Sequence, residues 1–219
     1  MVSVIIPFNV NRGHLADALA SFHIAQAAML HDVDDVGVEP KLILSRNANK
    51  TFAQNFNEGL EQVDTEFVCF LAEDDELTEQ SLTARALYLT DSDADAVCAN
   101  AEFIGDVPPW HPTEYKSKPT IYASVLATHN SIHGGTMMYR TEVIKGLGGM
   151  DESLITGEEW ELNCRLLYKG YFIGYLDAMV YRNRIWSGSK SGQGSGKPKG
   201  FNDKWDRRVY LDKIAARYK

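Results

Sequence analysis

Four consecutive acidic residues, Glu73 to Glu76, directly follow a short apolar run that begins at Phe67. An uninterrupted apolar run of this length is typical of a strand buried on both faces. The acids would then lie at the carboxyl end of the strand, where open α/β sheets form their ligand crevices. Clustered carboxylates attract Mg²⁺ or Mn²⁺, which commonly bind together with a phosphate group. The stretch therefore predicts a metal–diphosphate site; the alternative is a solvated acidic turn that caps a helix starting near Leu77.

A second pair of carboxylates, Glu158 and Glu159, stands near the start of a helix predicted over Thr156 to Lys169. A carboxylate in a partly desolvated pocket can act as a general base toward an attacking hydroxyl. The alternative for Glu159 is a capping box, because Thr156 and Glu159 have the spacing at which each side chain bonds the other's backbone N–H. No Ser/His/Asp or Cys/His arrangement in the sequence indicates an enzyme nucleophile.

The elements that position these acids alternate between strands and helices. Apolar runs predict strands at 2–6, 41–45, 67–71 and 95–99, and helical spacing predicts helices at 14–30, 51–62 and 77–89. The alternation predicts an α/β domain with a mostly parallel central sheet and helices on both faces. The sequence has no Gly-x-Gly-x-x-Gly after the first strand and no P-loop motif, which argues against dinucleotide-binding and P-loop folds.

The second half of the chain has a different pattern. Residues 101–119 are irregular, Gly134-Gly135 opens a strand predicted over 134–140, and a short helix follows at 141–147. Two further strands are predicted at 171–175 and 178–181, and a helix at 204–218 follows a Gly/Ser/Lys-rich loop. We predict that this half lies over one side of the site.

Charge and cysteine content limit the partners and the compartment. The net charge is −8, but residues 182–219 hold 11 basic and 3 acidic residues, a local +8, so residues 1–181 carry −16. Such an acidic body disfavours nucleic acid as a partner, and it accepts a phosphorylated ligand only beside a cation or a basic segment. Cys69, Cys98 and Cys164 are dispersed, which predicts buried free thiols and a cytoplasmic location. No apolar run approaches the roughly 18 residues of a membrane span.

Several segments together resemble the inverting family 2 glycosyltransferases, which have the GT-A fold. Residues 2–10 resemble the family's opening strand and its Pro-aromatic-Asn loop, and residues 53–60 resemble the helix that precedes the acidic strand. Residues 67–75 resemble the strand that leads into the Asp-x-Asp motif. Two acceptor-side motifs are resembled by residues 148–154 and 157–162. There are departures from the family pattern. Ala72 stands where Asp is frequent, Ser45-Arg46 where many members have a base-contacting Asp, and Glu159 where the catalytic residue is Asp. Tyr181 to Arg184 replace a region that often holds a metal-binding His.

The resemblance implies transfer of a sugar from a nucleotide-sugar, expected to be a UDP-sugar, to an acceptor hydroxyl with inversion. It implies Mn²⁺ or Mg²⁺ on Asp74 and Asp75, and it implies Glu159 as the base with Glu158 beside it. A glycan, glycolipid or glycoprotein is the expected acceptor. The positions expected to contact the nucleotide-sugar are Pro7, Phe8, Ser45, Asn57, Glu73, His133 and Arg184.

The implied organisation is a GT-A domain over residues 1–185, with a nucleotide-sugar-binding half at 1–100 and an acceptor half at 101–185. A basic flexible loop and a C-terminal helix follow at 186–219, in which Lys190, together with Arg182 and Arg184, is a candidate phosphate contact. Two other functions stay open: a catalytically silent carbohydrate- or nucleotide-binding module, and a sugar-phosphate nucleotidyltransferase. Trp110 and Trp160 can stack on sugar rings or pack in the core.

Overall fold

The computed structural model describes residues 1–32, 39–188 and 207–218 of the 219-residue chain. The strands are β1 (Val2–Phe8), β2 (Lys41–Arg46), β3 (Phe67–Phe70), β4 (Glu76–Leu77), β5 (Ala96–Gly105), β6 (Glu114–Tyr115), β7 (Met138–Arg140) and β8 (Ile173–Ile185). The helices are α1 (Leu15–Asp32), α2 (Phe52–Glu61), α3 (Ser81–Thr90), α4 (Ala123–Thr128), α5 (Thr141–Gly146), α6 (Glu158–Tyr168) and α7 (Arg207–Arg217), and a 3₁₀ turn spans Gly134–Thr136.

One mixed sheet forms the centre of the molecule, in the order β2-β1-β3-β7-β5-β8-β4, with β6 paired to β5. β1 is parallel to β2 and β3, and β5 is parallel to β8. β7 lies antiparallel between β3 and β5, so both sets of parallel strands point the same way. Their carboxyl ends therefore share one edge, where ligands bind in folds of this kind.

Helices cover both faces of the sheet, as the sequence predicted. On one face α1 and α3 bury Phe22 and Leu82 against Val4 and Val97. On the other face α2, α4, α5, α6 and α7 enclose a second core that includes Phe56. Burial of side chains on both faces explains why β1 and β3 are continuous apolar runs in the sequence.

The prediction that a helix starts near Leu77 is wrong. Leu77 belongs to β4, which pairs with β8, and its backbone N–H donates to Ser21 Oγ at 3.0 Å. α3 begins at Ser81, so the acidic stretch does not cap a helix. These pairings occupy the backbone groups that a helical turn would need, and the alternative of a helix-capping acidic turn is therefore wrong.

The second half departs from prediction in two further places. The strand predicted over 134–140 begins as a 3₁₀ turn, and the two strands predicted at 171–175 and 178–181 are one strand, β8, with register shifts opposite β5. α7 packs on α4 with Ile214 buried, and Arg217 lies 2.6 Å from Asp151 and 3.6 Å from Glu161 of α6. The loop containing Lys190 and the first residues of the predicted C-terminal helix lie outside the described residues. Among the described helices, none combines the length and the apolar character needed to cross a bilayer.

Candidate active site

The acidic stretch forms a turn at the carboxyl end of β3. Leu71 continues the pairing with β1 by donating its N–H to Ile5 O at 2.9 Å, and the chain then turns, with Asp75 N–H bonded to Ala72 O at 3.2 Å. Glu73, Asp74 and Asp75 therefore stand at the shared carboxyl edge of the sheet, as predicted. Their side chains enter three different environments.

The Asp75 carboxylate is turned inward and is only 5% exposed as a residue. Its Oδ2 accepts from the Tyr181 hydroxyl at 2.8 Å, and its Oδ1 accepts from Asn183 Nδ2 at 3.0 Å and from the Arg184 N–H at 2.7 Å. Burial and the charge of Asp74 raise the pKa of Asp75 to about 8, although the three hydrogen-bond donors act to lower it. A carboxylate has about four acceptor positions, so three of those on Asp75 are already used by the protein. Asp75 anchors the acidic turn to β8.

Asp74 is the more open of the two predicted metal ligands. Its Oδ2 accepts from Trp186 Nε1 at 2.9 Å, and its backbone carbonyl accepts from Arg184 Nε at 3.0 Å. Within the described part of the chain, Oδ1 of Asp74 accepts no hydrogen bond. Trp186 in turn meets the His14 ring at 4.9 Å between centroids, so it lies across the acidic turn toward the start of α1.

Glu73 is buried beside a cation from the loop after β1. Arg12 Nη1 lies 3.2 Å from Glu73 Oε1 and 3.4 Å from Oε2. Burial and the charge of Asp74 raise the pKa of Glu73 to about 7, although Arg12 acts in the opposite direction. Glu73 and Arg12 thus form a pair next to Asp74, and the charge of Glu73 is sensitive to pH near neutrality.

Arg184 is engaged with several groups around the acidic turn. Its Nη2 bonds Asp17 at 3.1 Å and also bonds Glu76, in addition to the contact of its Nε with the Asp74 carbonyl. The neighbouring Arg182 pairs with Glu102 at 2.6 Å. Arg184 therefore holds the acidic turn to β8 and α1, whereas Arg182 ties β8 to β5, and the predicted contact of Arg184 with a diphosphate stays a prediction.

A turn made of two glycines separates the acidic turn from Glu159. A Cβ placed on Gly135 would lie 2.4 Å from the Tyr181 ring, and a Cβ placed on Gly134 would lie 2.2 Å from Cγ of Glu159. Carbon atoms in contact prefer about 3.5–4.0 Å, so a Cβ at either position would displace the side chain that packs against it. Tyr181, which holds Asp75, and Glu159 therefore pack against consecutive residues of one turn.

Glu159 lies in the first turn of α6, whose N-terminal dipole favours a carboxylate. The N-cap is Gly157 at φ 75°, with no side-chain cap, so the capping box between Thr156 and Glu159 does not form and that alternative is wrong. Among the described residues, none donates a hydrogen bond to the Glu159 carboxylate. Glu158 is buried and has an interaction partner. Of the two, Glu159 is better placed to accept a proton.

The residues predicted to contact the nucleotide-sugar fall into two groups. Pro7 and Phe8 end β1 and pair in register with Ser45 and Arg46 of β2, so three of the predicted positions share the carboxyl edge. Asn57 is used differently: its side chain bonds the backbone N–H and C=O of Met150 at 2.8 and 2.9 Å, which ties α2 to the loop before α6.

His133 lies directly before the two glycines, among aromatic rings. Its Nδ1 is shielded from solvent and has no hydrogen-bond partner among the described residues. Burial lowers the pKa of His133 to about 4, although a hydrogen bond with Asn183 acts in the opposite direction. The ring is therefore neutral at physiological pH, when it can both donate and accept a hydrogen bond.

Arg85 is a residue of the site that sequence reasoning missed. It is 0% exposed, and its Nη1 donates to the carbonyls of Thr136 (3.2 Å) and Met137 (3.0 Å), directly after the glycines. Its other donors meet the carbonyl and hydroxyl of Ser81 and, at 3.7 Å, Cys69 Sγ. A buried cation held by neutral acceptors is costly unless every donor is satisfied. Arg85 fixes the two-glycine turn from behind.

Tyr181, Trp186 and Arg12 were also missed, since each acts through partners far away in sequence. Trp160 packs in the core and donates its Nε1 to Leu126 O at 2.7 Å, which resolves its role in favour of core packing. Within the described residues, no group of three His, Cys, Asp or Glu side chains is arranged to hold a metal ion by itself.

Comparisons with known proteins identify the family and the fold. The family model described as "Glycosyl transferase family 2" matches residues 27–148, more than half of the chain. A search of curated proteins by sequence gave no significant match.

Solved structures share the fold at low identity. S. aureus TarS 1–349 is 20% identical over 84% of this chain and 60% of that chain, with a TM-score of 0.61. The same protein in complex with UDP-GlcNAc gives 18% identity over 99% of this chain and 71% of that chain, with a TM-score of 0.66. The catalytic domain of Drosophila β1,4-galactosyltransferase 7 in complex with xylobiose gives 13% over 100% and 80%, with a TM-score of 0.56.

The chain thus spans about three fifths of the length of the first TarS structure. The chain belongs to glycosyl transferase family 2 and has a GT-A-like α/β fold.

Proposed function

We propose that this domain transfers a sugar from a UDP-sugar to an acceptor hydroxyl with inversion, with Glu159 as the general base. The observation that carries the proposal is the two-glycine turn, against which both Glu159 and the anchor of the acidic turn are packed. A UDP-sugar is chosen because the TarS structures of the same fold were solved with UDP-GlcNAc and with UDP.

The reaction follows from the residues on either side of the turn. The acceptor oxygen bonds to the anomeric carbon of the donor sugar, the bond from that carbon to the diphosphate oxygen breaks, and Glu159 takes the hydroxyl proton. One such displacement inverts the anomeric carbon and needs no enzyme nucleophile. Cys69, Cys98 and Cys164 are buried, and burial raises the pKa of each thiol, so none of them is suited to that role.

The leaving diphosphate would lie against the acidic turn, which needs a cation to accept it. Asp74 fits Mn²⁺ or Mg²⁺, because its Oδ1 accepts no hydrogen bond from the described residues and such ions are often held by one or two carboxylates plus substrate phosphates. Asp75, with three acceptor positions used, has one left to contribute. When bound, the ion supplies Lewis-acid stabilisation of the leaving group. Arg12 adds a positive charge beside Glu73.

The experiment is a screen of UDP-sugars, with other nucleotide-sugars as comparisons, read by nucleotide release in the presence of Mn²⁺ or EDTA. The proposal predicts release from at least one UDP-sugar that EDTA abolishes and that Asp74→Asn lowers at least tenfold. Release that EDTA leaves unchanged would contradict the metal assignment. Absence of release from every donor, with a glycan, glycolipid or glycopeptide acceptor present, would contradict transfer.

A catalytically silent nucleotide- or carbohydrate-binding module is the second candidate. It is favoured by the engagement of the acids, since Asp75 bonds three donors, Glu73 pairs with Arg12 and Asp74 accepts from Trp186. Calorimetry with UDP and the nucleotide-release assay together distinguish the two candidates. A silent module binds UDP but releases none from any donor, whereas the transferase does both.

A further inference from the structure

A buried hydrogen-bond donor lies one helical turn after the candidate base. Asn163 and Glu159 stand four positions apart in α6, so they share one face of the helix. Helical side chains lean toward the N-terminus of their helix, which directs Asn163 back over the turn that carries Glu159. Asn163 is 1% exposed, and its Nδ2 has no hydrogen-bond partner among the described residues. A buried donor of this kind needs an acceptor.

Tyr139 determines which end of the Asn163 amide is free. Tyr139 is fully buried in β7, the strand that follows the two-glycine turn, and its hydroxyl donates to Asn163 Oδ1 at 2.9 Å. The amide cannot turn over without losing this bond, because only its oxygen accepts. The two N–H groups of Asn163 are therefore kept for a different partner.

The Glu159 carboxylate lies close to the same pair. Burial raises the pKa of Tyr139 well above its ordinary value, and the negative charge of Glu159 is the next cause, so the carboxylate is near the Tyr139 hydroxyl. Among the described residues, none donates to this carboxylate. A donor that lacks an acceptor and a carboxylate that lacks a donor thus lie on one face of α6, with Tyr139 beside both.

We propose that Asn163 is a positioning residue for the general base: its Nδ2 donates to one oxygen of the Glu159 carboxylate, and Tyr139 holds the amide in the orientation for this bond. The other oxygen is left to take the proton of the acceptor hydroxyl. Hydrogen bonds of catalytic groups often tighten only when substrate binds. Glu159 is half-buried and reaches the amide by rotation about its side-chain bonds, a fast motion that makes the bond measurable in the free protein. The positioning role rests on the proposed function; the hydrogen bond does not.

The hydrogen bond is tested without any transfer, by NMR of side-chain amides in protein labelled with ¹⁵N-asparagine. The Asn163 signal is the one that Asn163→Leu removes. One of its protons should resonate downfield in the wild type relative to Glu159→Ala. The control is Thr141→Val, which removes another buried hydroxyl without a partner, at the opposite edge of the sheet beside Glu66, and should leave the signal unchanged.

Identical Asn163 signals in the wild type and Glu159→Ala would overturn the proposal. This comparison decides the bond even if the wild type transfers no sugar to any acceptor. Failure of the proposed function is therefore distinguished from failure of this inference.

Turnover separates positioning from packing. Asn163→Leu should lower kcat about 10- to 10²-fold, the loss of one hydrogen bond to a charged group, while KM for the donor stays within about twofold. The double variant Tyr139→Phe/Asn163→Leu replaces both members of the buried pair with apolar groups, so it should unfold in urea near the wild-type midpoint and still have the low kcat. Thr141→Val should keep the wild-type kcat. Recovery of kcat together with stability in the double variant would show that Asn163 only packs, and would overturn the proposal.

Discussion

Replacing Gly134 with alanine would place a methyl carbon 2.2 Å from Cγ and 3.0 Å from Cβ of Glu159. Contact between carbons needs about 3.5 Å, so the Glu159 side chain must move by about 1.3 Å. Gly134 does not have a positive φ, so its backbone accepts alanine without strain. The substitution therefore acts mainly on the position of one carboxylate.

The expected loss of rate follows from that displacement. A misplacement of about 1 Å costs on the order of 10²-fold in rate when the displaced group takes part in the chemistry. Moving the side chain off its rotamer should lower the free energy of unfolding by only about 1 kcal/mol. The assay compares nucleotide release at saturating donor with urea unfolding of the same preparation.

Two further variants make the Gly134 result specific. Gly146→Ala adds a methyl group where no atom lies within 4 Å, so it should leave the rate unchanged. In a Glu159→Ala background most of the clash is gone, so Gly134→Ala should cost little more, giving strong non-additivity. A folded Gly134→Ala protein with turnover within about threefold of wild type would refute the placement of Glu159 at the reaction centre.

Three other predictions concern the support of the site. Arg85→Met leaves two buried carbonyls without donors and should cost about 4 kcal/mol of unfolding free energy, with Arg85→Lys in between; a loss below about 1 kcal/mol in urea unfolding would contradict its role. His133 has a folded pKa of about 4, below its ordinary 6.5, so stability should fall as the pH drops from about 6.5 to 4, by about 2 kcal/mol at pH 5. His133→Phe should remove that component in urea unfolding at pH 7.5 and 5, and equal pH slopes for the two proteins would exclude it. Tyr218→Phe deprives the buried Glu161 of a donor and should cost about 1–2 kcal/mol, so an unchanged melting temperature would show that the Tyr218–Glu161 bond does not stabilise the domain.

Features set by neighbouring residues were predictable from the sequence. The apolar runs of β1, β2 and β3 and the helical spacing of α1 place those elements within about two residues of their observed ends. Thr51 caps α2 through a capping box with Gln54, because both residues lie in one turn. The position of the acids at the ligand edge was predictable as well, because they directly follow the apolar run that forms β3.

Features set by distant partners were not predictable in this way. Leu77 lies in a strand because it bonds Ser21 and pairs with Tyr181. Both partners are far away in the sequence, so the local pattern around Leu77 could not indicate them. The role of Asp75 depends on side chains more than 100 positions later. For α6, a positive φ at Gly157 starts the helix one residue later than the Thr156 pattern suggests.

The central claim, that Glu159 is the general base of a glycosyl transfer, is tested most directly by Glu159→Gln. The amide keeps the shape of the side chain but cannot take a proton at neutral pH. With the donor and acceptor found by screening, turnover should fall by about 10²- to 10⁴-fold, while the Kd for UDP stays within about twofold of wild type. Turnover close to wild type in the folded Glu159→Gln protein would contradict the account.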